Sequence, residues 1–306
     1  MRVLFAGFGS IAKRHIANLR TICTQRCIDL EIDLLRHASA PLPEGIRASF
    51  TSSRDVDESY DAVFVTNPTS MHYDMLLSLL DKSECFFIEK PVFDSTDVDV
   101  TPFERPNKLF YVACPLRYTS VLRWAKENID FSRAIALRCI SSSYLPDWRP
   151  NQDYRDTYSA HANLGGGVHI DLIHEWDYIC HLVGLPSSVH SFIARRSQLD
   201  IDSPDVALYV ADYGDKTVEL HLDYYGRATV RKMEVFTDED TIVCDLARGC
   251  VDYLKSGNHV DLSEERNDFQ RLELEHFLDA CQGMCQSEND INEALSVLAV
   301  ARGELG

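Results

Sequence analysis

The amino-acid sequence predicts an α/β domain with a parallel, doubly wound sheet, followed by an α+β domain with a largely antiparallel open sheet. Three observations carry that reading. Short apolar runs alternate with stretches of helical spacing through the first part of the chain, the signature of a parallel sheet wound with helices. Beyond about residue 115, strand-like alternation punctuated by turn residues takes over. A glycine-rich string, Gly7-Phe8-Gly9-Ser10-Ile11-Ala12, stands directly after the first apolar run and opens a helix. At 306 residues the chain is long enough for two domains and a sizeable core.

In chain order, residues 1–6 read as a strand, 12–21 as a helix and 30–35 as a second strand. Residues 62–65 form a buried strand ending at Asn67-Pro68, 73–80 a helix, and 85–88 and 109–113 two further strands. Residues 93–106 are rich in Asp and Pro and read as irregular where another helix would be expected. The second part has helical spacing at 121–127 and strands at 134–141, 188–194, 206–211, 218–223, 229–236 and 241–245. Helices return at 269–281 and 291–302. The expected division is 1–116 and 117–284, with 285–306 as a terminal helix packing back on the first domain.

Charge narrows the function. Lys and Arg number 30 against 48 Asp and Glu, a formal net charge of −18. A surface that acidic repels phosphate backbones and anionic lipid, which argues against nucleic-acid or membrane partners. It also makes Arg36, Arg117, Arg149 and Arg155 scarce positive groups, suited to anionic ligands. No apolar run reaches the length of a targeting segment or a membrane span, so a cytoplasmic protein is expected. The 10 cysteines lie within apolar runs and read as free thiols. Cys23/Cys27 and Cys281/Cys285 lack the histidine or second pair that a zinc site wants, and His169 and His174, five residues apart, do not share one helical face. No metal is expected.

The string at Gly7 is the dinucleotide fingerprint of a Rossmann domain, with Ala12 in the third glycine position. Gly7 permits the tight turn, Gly9 lets the backbone approach a pyrophosphate, and Ala12 packs helix on strand. N–H groups at the helix start, around Phe8, Ser10 and Ile11, offer donors and partial positive charge to phosphates. The second strand ends in Arg36-His37 rather than in a carboxylate, which favours NADP over NAD.

Further strings stand at strand ends and ahead of a helix. They are Thr66-Asn67-Pro68-Thr69 with His72, Glu89-Lys90-Pro91, and Gly165-Gly166-Gly167 before Asp171, His174 and Asp177. With the fingerprint and His15, they resemble the glucose-fructose oxidoreductase / inositol dehydrogenase (Gfo/Idh/MocA) family over nearly the whole chain. Asp147-Trp148-Arg149-Pro150 and Tyr154-Arg155 resemble a branch linked to bacterial surface-sugar biosynthesis.

The resemblance implies an NAD(P)-dependent dehydrogenase or reductase acting on CH–OH groups of a sugar, sugar nucleotide or inositol-like substrate. Thr66, Asn67, Pro68, Thr69 and His72 would line the cofactor toward its nicotinamide end. Glu89 and Lys90 would sit beside the nicotinamide, with Lys90 on the reacting oxygen. Arg117 would lie near the domain junction, and Asp171 and His174 would enter the substrate cleft. A homo-oligomer, dimer or tetramer, is implied by analogy through the open face of the second sheet. Against the family's pattern, 306 residues is slightly short, which the missing helix in 93–106 explains. Two rival functions stay open on this scaffold: an NAD-dependent glycosidase that recycles its cofactor, and a non-catalytic NADP-sensing regulator. A scaffolding protein without cofactor affinity is a third.

The residue chemistry stands beside the resemblance. Oxidising an alcohol by hydride transfer leaves a proton to remove, and a lysine beside a cationic ring has its charged form disfavoured. On one helix, Asp171, His174, Glu175 and Tyr178 would share a face, with Leu172, Trp176, Ile179, Cys180 and Val183 on an apolar one. Asp171 would fix the tautomer of His174, the acid/base partner of Lys90. The family's usual spacing falls instead on Glu175, so both residues stay candidates. Arg149, Tyr154, Arg155 and Tyr158 could hold substrate hydroxyl or phosphate groups, or form a packed surface loop.

Overall fold

The computed structural model describes residues 1–37 and 40–305. Five apolar runs predicted as strands, each too short for a stable helix, pair as parallel strands: β1 (Arg2–Ala6), β2 (Glu31–Leu35), β4 (Ala62–Val65), β5 (Cys85–Ile88) and β6 (Leu109–Val112). A three-residue strand that the pattern missed, β3 (Ala48–Phe50), adds the edge. The sheet is six-stranded and parallel, in the order β3-β2-β1-β4-β5-β6. Helices α1 (Ser10–Gln25) and α2 (His72–Leu79) form two of its crossovers.

Register explains this core. Phe5, Phe64, Phe87 and Tyr111 stand opposite one another on four neighbouring strands. Their rings stack in sequence at 4.5, 5.2 and 5.5 Å between centroids. Phe277 lies edge-on to Phe64 and Phe87 at 5.5 and 5.3 Å. On the opposite face the crossover over residues 93–106 has only one helical turn, Thr101–Phe103. Phe93 and Phe103 cover the sheet there: Phe103 packs on Phe110 at 5.6 Å, and Phe93 on Phe103 at 5.9 Å. The absent helix is thus replaced by aromatic packing.

The second sheet has eight strands: β7 (Ala136–Tyr144), β8 (Ser188–Ala194), β9 (Val206–Asp212), β10 (Thr217–Asp223), β11 (Tyr225–Phe236), β12 (Thr241–Asp245), β13 (Cys250–Tyr253) and β14 (His259–Asp261). Their order is β14-β13-β12-β11-β7-β10-β9-β8. Among the described residues only β7 and β10 run parallel there. Helix α3 (Ser120–Asn128), the short α4 (Val168–Asp171) and α5 (His174–Val183) belong to this part. The chain closes with α6 (Asp268–Cys281) and α7 (Ile291–Arg302).

Two compact units result: Met1–Cys114 with Gln270–Leu295, and Pro115–Phe269 with the residues from Ser296 on. This grouping differs from the expected division at 117–284 and 285–306. Within the first unit, Glu273 of α6 accepts the Cys114 N–H at 2.6 Å, and Ile291 and Ala294 join the sheet core. Within the second, the Ala301 carbonyl accepts the Tyr209 hydroxyl at 2.6 Å. Helix α7 is thus divided between the two groupings. The cysteines are free, and most are buried. No helix among the described residues is long and apolar enough to cross a membrane.

Candidate active site

The end of β1 forms a tight turn whose geometry admits only glycine at one position. Gly7 has φ +103°, and a Cβ there would lie 2.7 Å from the Asn67 nitrogen and 2.8 Å from the Thr66 carbonyl. Thr66 fastens the crossing by donating to the Ala6 carbonyl at 3.1 Å. Gly9 precedes α1 with open space on its side-chain position. Helix α1 has neither a side-chain cap nor an acidic residue in its first turn, which leaves its leading N–H groups and positive end to an anion. Ala12, in the first turn of α1, is fully buried.

Beside this turn, Asn67 is 8% exposed, and neither its amide nitrogen nor its oxygen finds a hydrogen-bond partner among the described residues. A buried, unpaired amide costs free energy unless a ligand satisfies it. The glycine turn, the uncapped helix start and the orphaned amide together fit a dinucleotide. Pro68 is exposed and Thr69 half-buried at the same strand end. Arg36, half-buried at the end of β2, donates to Ser49 Oγ and the Ala40 carbonyl, both at 2.8 Å.

His72 departs from expectation. It is 1% exposed, with its ring nitrogens 2.9 Å from the Asn67 carbonyl and 3.0 Å from the Val92 carbonyl. Burial pushes its pKa down against those two carbonyls and the Glu89 charge. It is a strut between the loops after β4 and β5, and not a lining group. Glu89 is tied as well: its Oε1 lies 2.6 Å from His15 Nε2 of α1. Burial alone would raise the Glu89 pKa, but the His15 contact and the charges of Lys90 and His72 hold it below the ordinary value. Lys90 follows, half-buried, joined to Pro91 by a cis peptide bond.

In the second unit the last two glycines of the triglycine stand in close contact with their surroundings. A Cβ on Gly166 would lie 2.2 Å from the Tyr158 carbonyl, and Gly167 starts α4 with φ +140°. The single helix expected to carry residues 171–178 is two pieces. Helix α4 ends at Asp171, Leu172 and Ile173 form a tightened turn, and α5 begins at His174. Asp171, 5% exposed, accepts hydroxyl hydrogen bonds from Tyr158 and Tyr224, one on each carboxylate oxygen. Burial and that carboxylate push both phenols up. Tyr224 carried no signal in the sequence, because only the sheet brings it to Asp171.

Along residues 171–180, His174 alone is not buried. Glu175 is fully buried, 2.7 Å from Arg231 Nε in an ion pair too oblique for a hydrogen bond. Tyr178 is also buried. The expected polar face therefore points into the unit.

Arg117 is corrected in the same way. Its Nε and Nη2 donate to the two Asp177 oxygens at 3.0 and 2.7 Å, with both residues buried, so its fork is committed to a carboxylate of the protein. Arg155 is exposed and pairs with Asp153 at 2.6 Å, while the Tyr154 hydroxyl accepts the Asp200 N–H at 3.2 Å. Arg149 is exposed and lines a crevice with Trp148 and Tyr154.

A family model described as an oxidoreductase family with an NAD-binding Rossmann fold, GFO_IDH_MocA, matches residues 1–99. The first part of the chain is thus similar to the NAD-binding domain of that family. Myo-inositol 2-dehydrogenase of Thermotoga maritima is 24% identical over 196 residues, covering 60% of this chain and 55% of the relative. An uncharacterized oxidoreductase of Bacillus subtilis is 25% identical over 203 residues, covering 63% and 56%. The chain thus spans little more than half the length of these curated relatives.

Solved structures extend the likeness to the whole fold. UDP-N-acetylglucosamine 3-dehydrogenase from Acidithiobacillus ferrooxidans superposes with a TM-score of 0.77 at 18% identity, covering 100% of this chain and 96% of that one. The WlbA dehydrogenase from Bordetella pertussis, in complex with NADH and UDP-GlcNAcA, gives 0.78 at 17% identity, covering 99% and 94%. At such identities the likeness establishes the architecture of this chain and no more.

Proposed function

We propose that the chain is an NAD(P)-dependent dehydrogenase or reductase that moves hydride between nicotinamide and the carbinol or keto carbon of a sugar, sugar nucleotide or inositol-like substrate. The observation that carries this reading is the Gly7 turn set against the unpaired amide of Asn67, where a dinucleotide supplies what the fold leaves unsatisfied. Gly7, Gly9 and the start of α1 would hold the pyrophosphate, and Asn67 and Thr69 would hold the far end of the cofactor. Arg36, with Ser49 and the Ala40 carbonyl orienting its guanidinium, supports NADP over NAD.

Bound nicotinamide would accept or supply the hydride. Lys90 would orient the reacting oxygen, anchored by Glu89, whose carboxylate accepts the Lys90 N–H at 3.3 Å and pairs with His15. When the alcohol is oxidised, its C–H electrons leave as hydride and its O–H proton passes to the protein. His174 is assigned that proton in preference to Glu175, because it is the accessible residue of the run and Glu175 is paired with Arg231. Asp171, gripped by Tyr158 and Tyr224, would position the segment leading into His174.

The test is fluorescence titration with NADPH and NADH, followed by absorbance of reduced nicotinamide across UDP-sugars, amino sugars and inositols. NADPH binding tighter than NADH, weakened by Arg36→Asp, with net cofactor turnover on one of these classes, is expected. Binding without turnover on any would point instead to the regulator, and conversion without net reduced cofactor to the glycosidase. The same reading places a homo-oligomer in the cytoplasm, and light scattering after size exclusion tests its assembly.

A further inference from the structure

We propose that the outer hairpin of the second sheet holds a divalent transition-metal ion, with Zn²⁺ the best match, on Cys250, Asp252 and His259. Strands β13 and β14 pair antiparallel, with Asp252 opposite His259 and Cys250 opposite Asp261. Side chains alternate in direction along a strand, so Cys250, Asp252 and His259 project from one face. One ligand atom from each lies within 4.8 Å of the other two. His259 Nδ1 is 2.6 Å from Asp252 Oδ1, and Cys250 Sγ is 4.0 Å from Asp252 Oδ2. A tetrahedral zinc ion would set such N···O and S···O separations near about 3.4 and 3.6 Å, so each changes by less than roughly 1 Å.

The donor set selects the ion. A thiolate, an imidazole and a carboxylate form a borderline-soft site, which suits Zn²⁺ and disfavours Mg²⁺ and Ca²⁺. Three protein ligands leave a fourth position for water. Cys250 is 4% exposed while the His259 side chain is 52% exposed, so sulfur anchors the ion from within and the imidazole meets it from solvent.

The neighbouring charges are mixed. Asp245 stands opposite Cys250 across β12 and pairs with Lys232 at 3.1 Å, and Asp261 accepts the N–H and O–H of Ser263. Burial, with the carboxylates of Asp252 and Asp245, raises the Cys250 thiol despite Arg248 and Lys232. Binding forms a sulfur–metal bond and releases the thiol proton to water, with no change of oxidation state. The ion would fasten a terminal strand of three residues that has a partner on one side only. The site shares no residue with the proposed hydride-transfer machinery, so either reading can fail alone.

The full chain, stripped with a chelator, is titrated with Co²⁺ and followed in the near-ultraviolet and visible. One equivalent should bind with a thiolate-to-cobalt charge-transfer band and be displaced by one equivalent of Zn²⁺. Cys250→Ser should abolish the band. His259→Ala, at an exposed position that leaves the fold intact, should weaken binding by more than the roughly 10–100-fold that loss of an outer supporting hydrogen bond costs. Zn²⁺ should raise the Tm of the parent protein and of neither variant. A band that persists in Cys250→Ser, an affinity unchanged in His259→Ala, or no binding at all overturns the proposal.

Discussion

The two units differ in where their charged pairs lie. In the first, every residue of β4 and β5 is buried and apolar, four aromatic rings cross the sheet in register, and functional polar groups gather at the strand ends. In the second, charge lies inside: Glu175 with Arg231, Asp177 with Arg117, and Asp171 beneath two phenols. An apolar interior stabilises through area removed from water. Interior ion pairs roughly offset their own desolvation, and their measurable effect is the penalty when one partner is lost. Charged residues of the first unit thus include braces such as Asp33 with Arg47 and Tyr60, but its inner strands β4 and β5 carry none, whereas in the second unit they brace the helix that follows the triglycine.

That contrast can be broken at several points. Lys90→Met should lower the single-turnover rate of hydride transfer by about 10²–10⁴-fold with the Tm unchanged. A near-parental rate would remove Lys90 from the chemistry. His174→Asn should behave alike at the lower end of that range, about 10²-fold. In the aromatic ladder, Phe87→Ala should cost about 3–5 kcal/mol in chemical denaturation, since its ring touches four others.

Glu175→Gln should cost less, roughly 1–3 kcal/mol because Arg231 is partly solvated, and leave the rate per folded molecule intact. A Glu175→Met/Arg231→Met pair more stable than either single variant would sharpen the distinction. The smallest effect is in pH. Burial, aided by Arg302, pushes His169 down to about 4 from an ordinary value of 6.5. Between those values the unfolded chain holds a proton that the folded chain does not. Stability is then fully present above about 6.5 and falls on acidification through that window. His169→Gln should flatten the plot of Tm against pH there.

Local chemistry was legible and long-range pairing was not. The turn at Gly7 could be read because its demands, a positive φ and no Cβ, are met by neighbouring residues in a short string. The parallel strands were legible because their runs are continuously apolar. Strands β3 and β14, three residues each, carry too little pattern to see. On α5 the sequence spacing suggested a reactive face, yet the residues that neutralise it, Arg117 and Arg231, lie more than fifty residues away in either direction. His72 misled for the same reason: its partners are two backbone carbonyls, which no side-chain motif reveals.

The crossover between β5 and β6 separates two properties that a helix would couple. A helix shields its own amides while presenting a packed face. Here Phe93 and Phe103 supply the packed face, whereas residues 94–100 form neither helix nor strand. The segment should therefore exchange its amide hydrogens early while its rings stay fixed. Slow solvent exchange at its backbone and slow ring motion would part company in this one stretch of the sheet's cover.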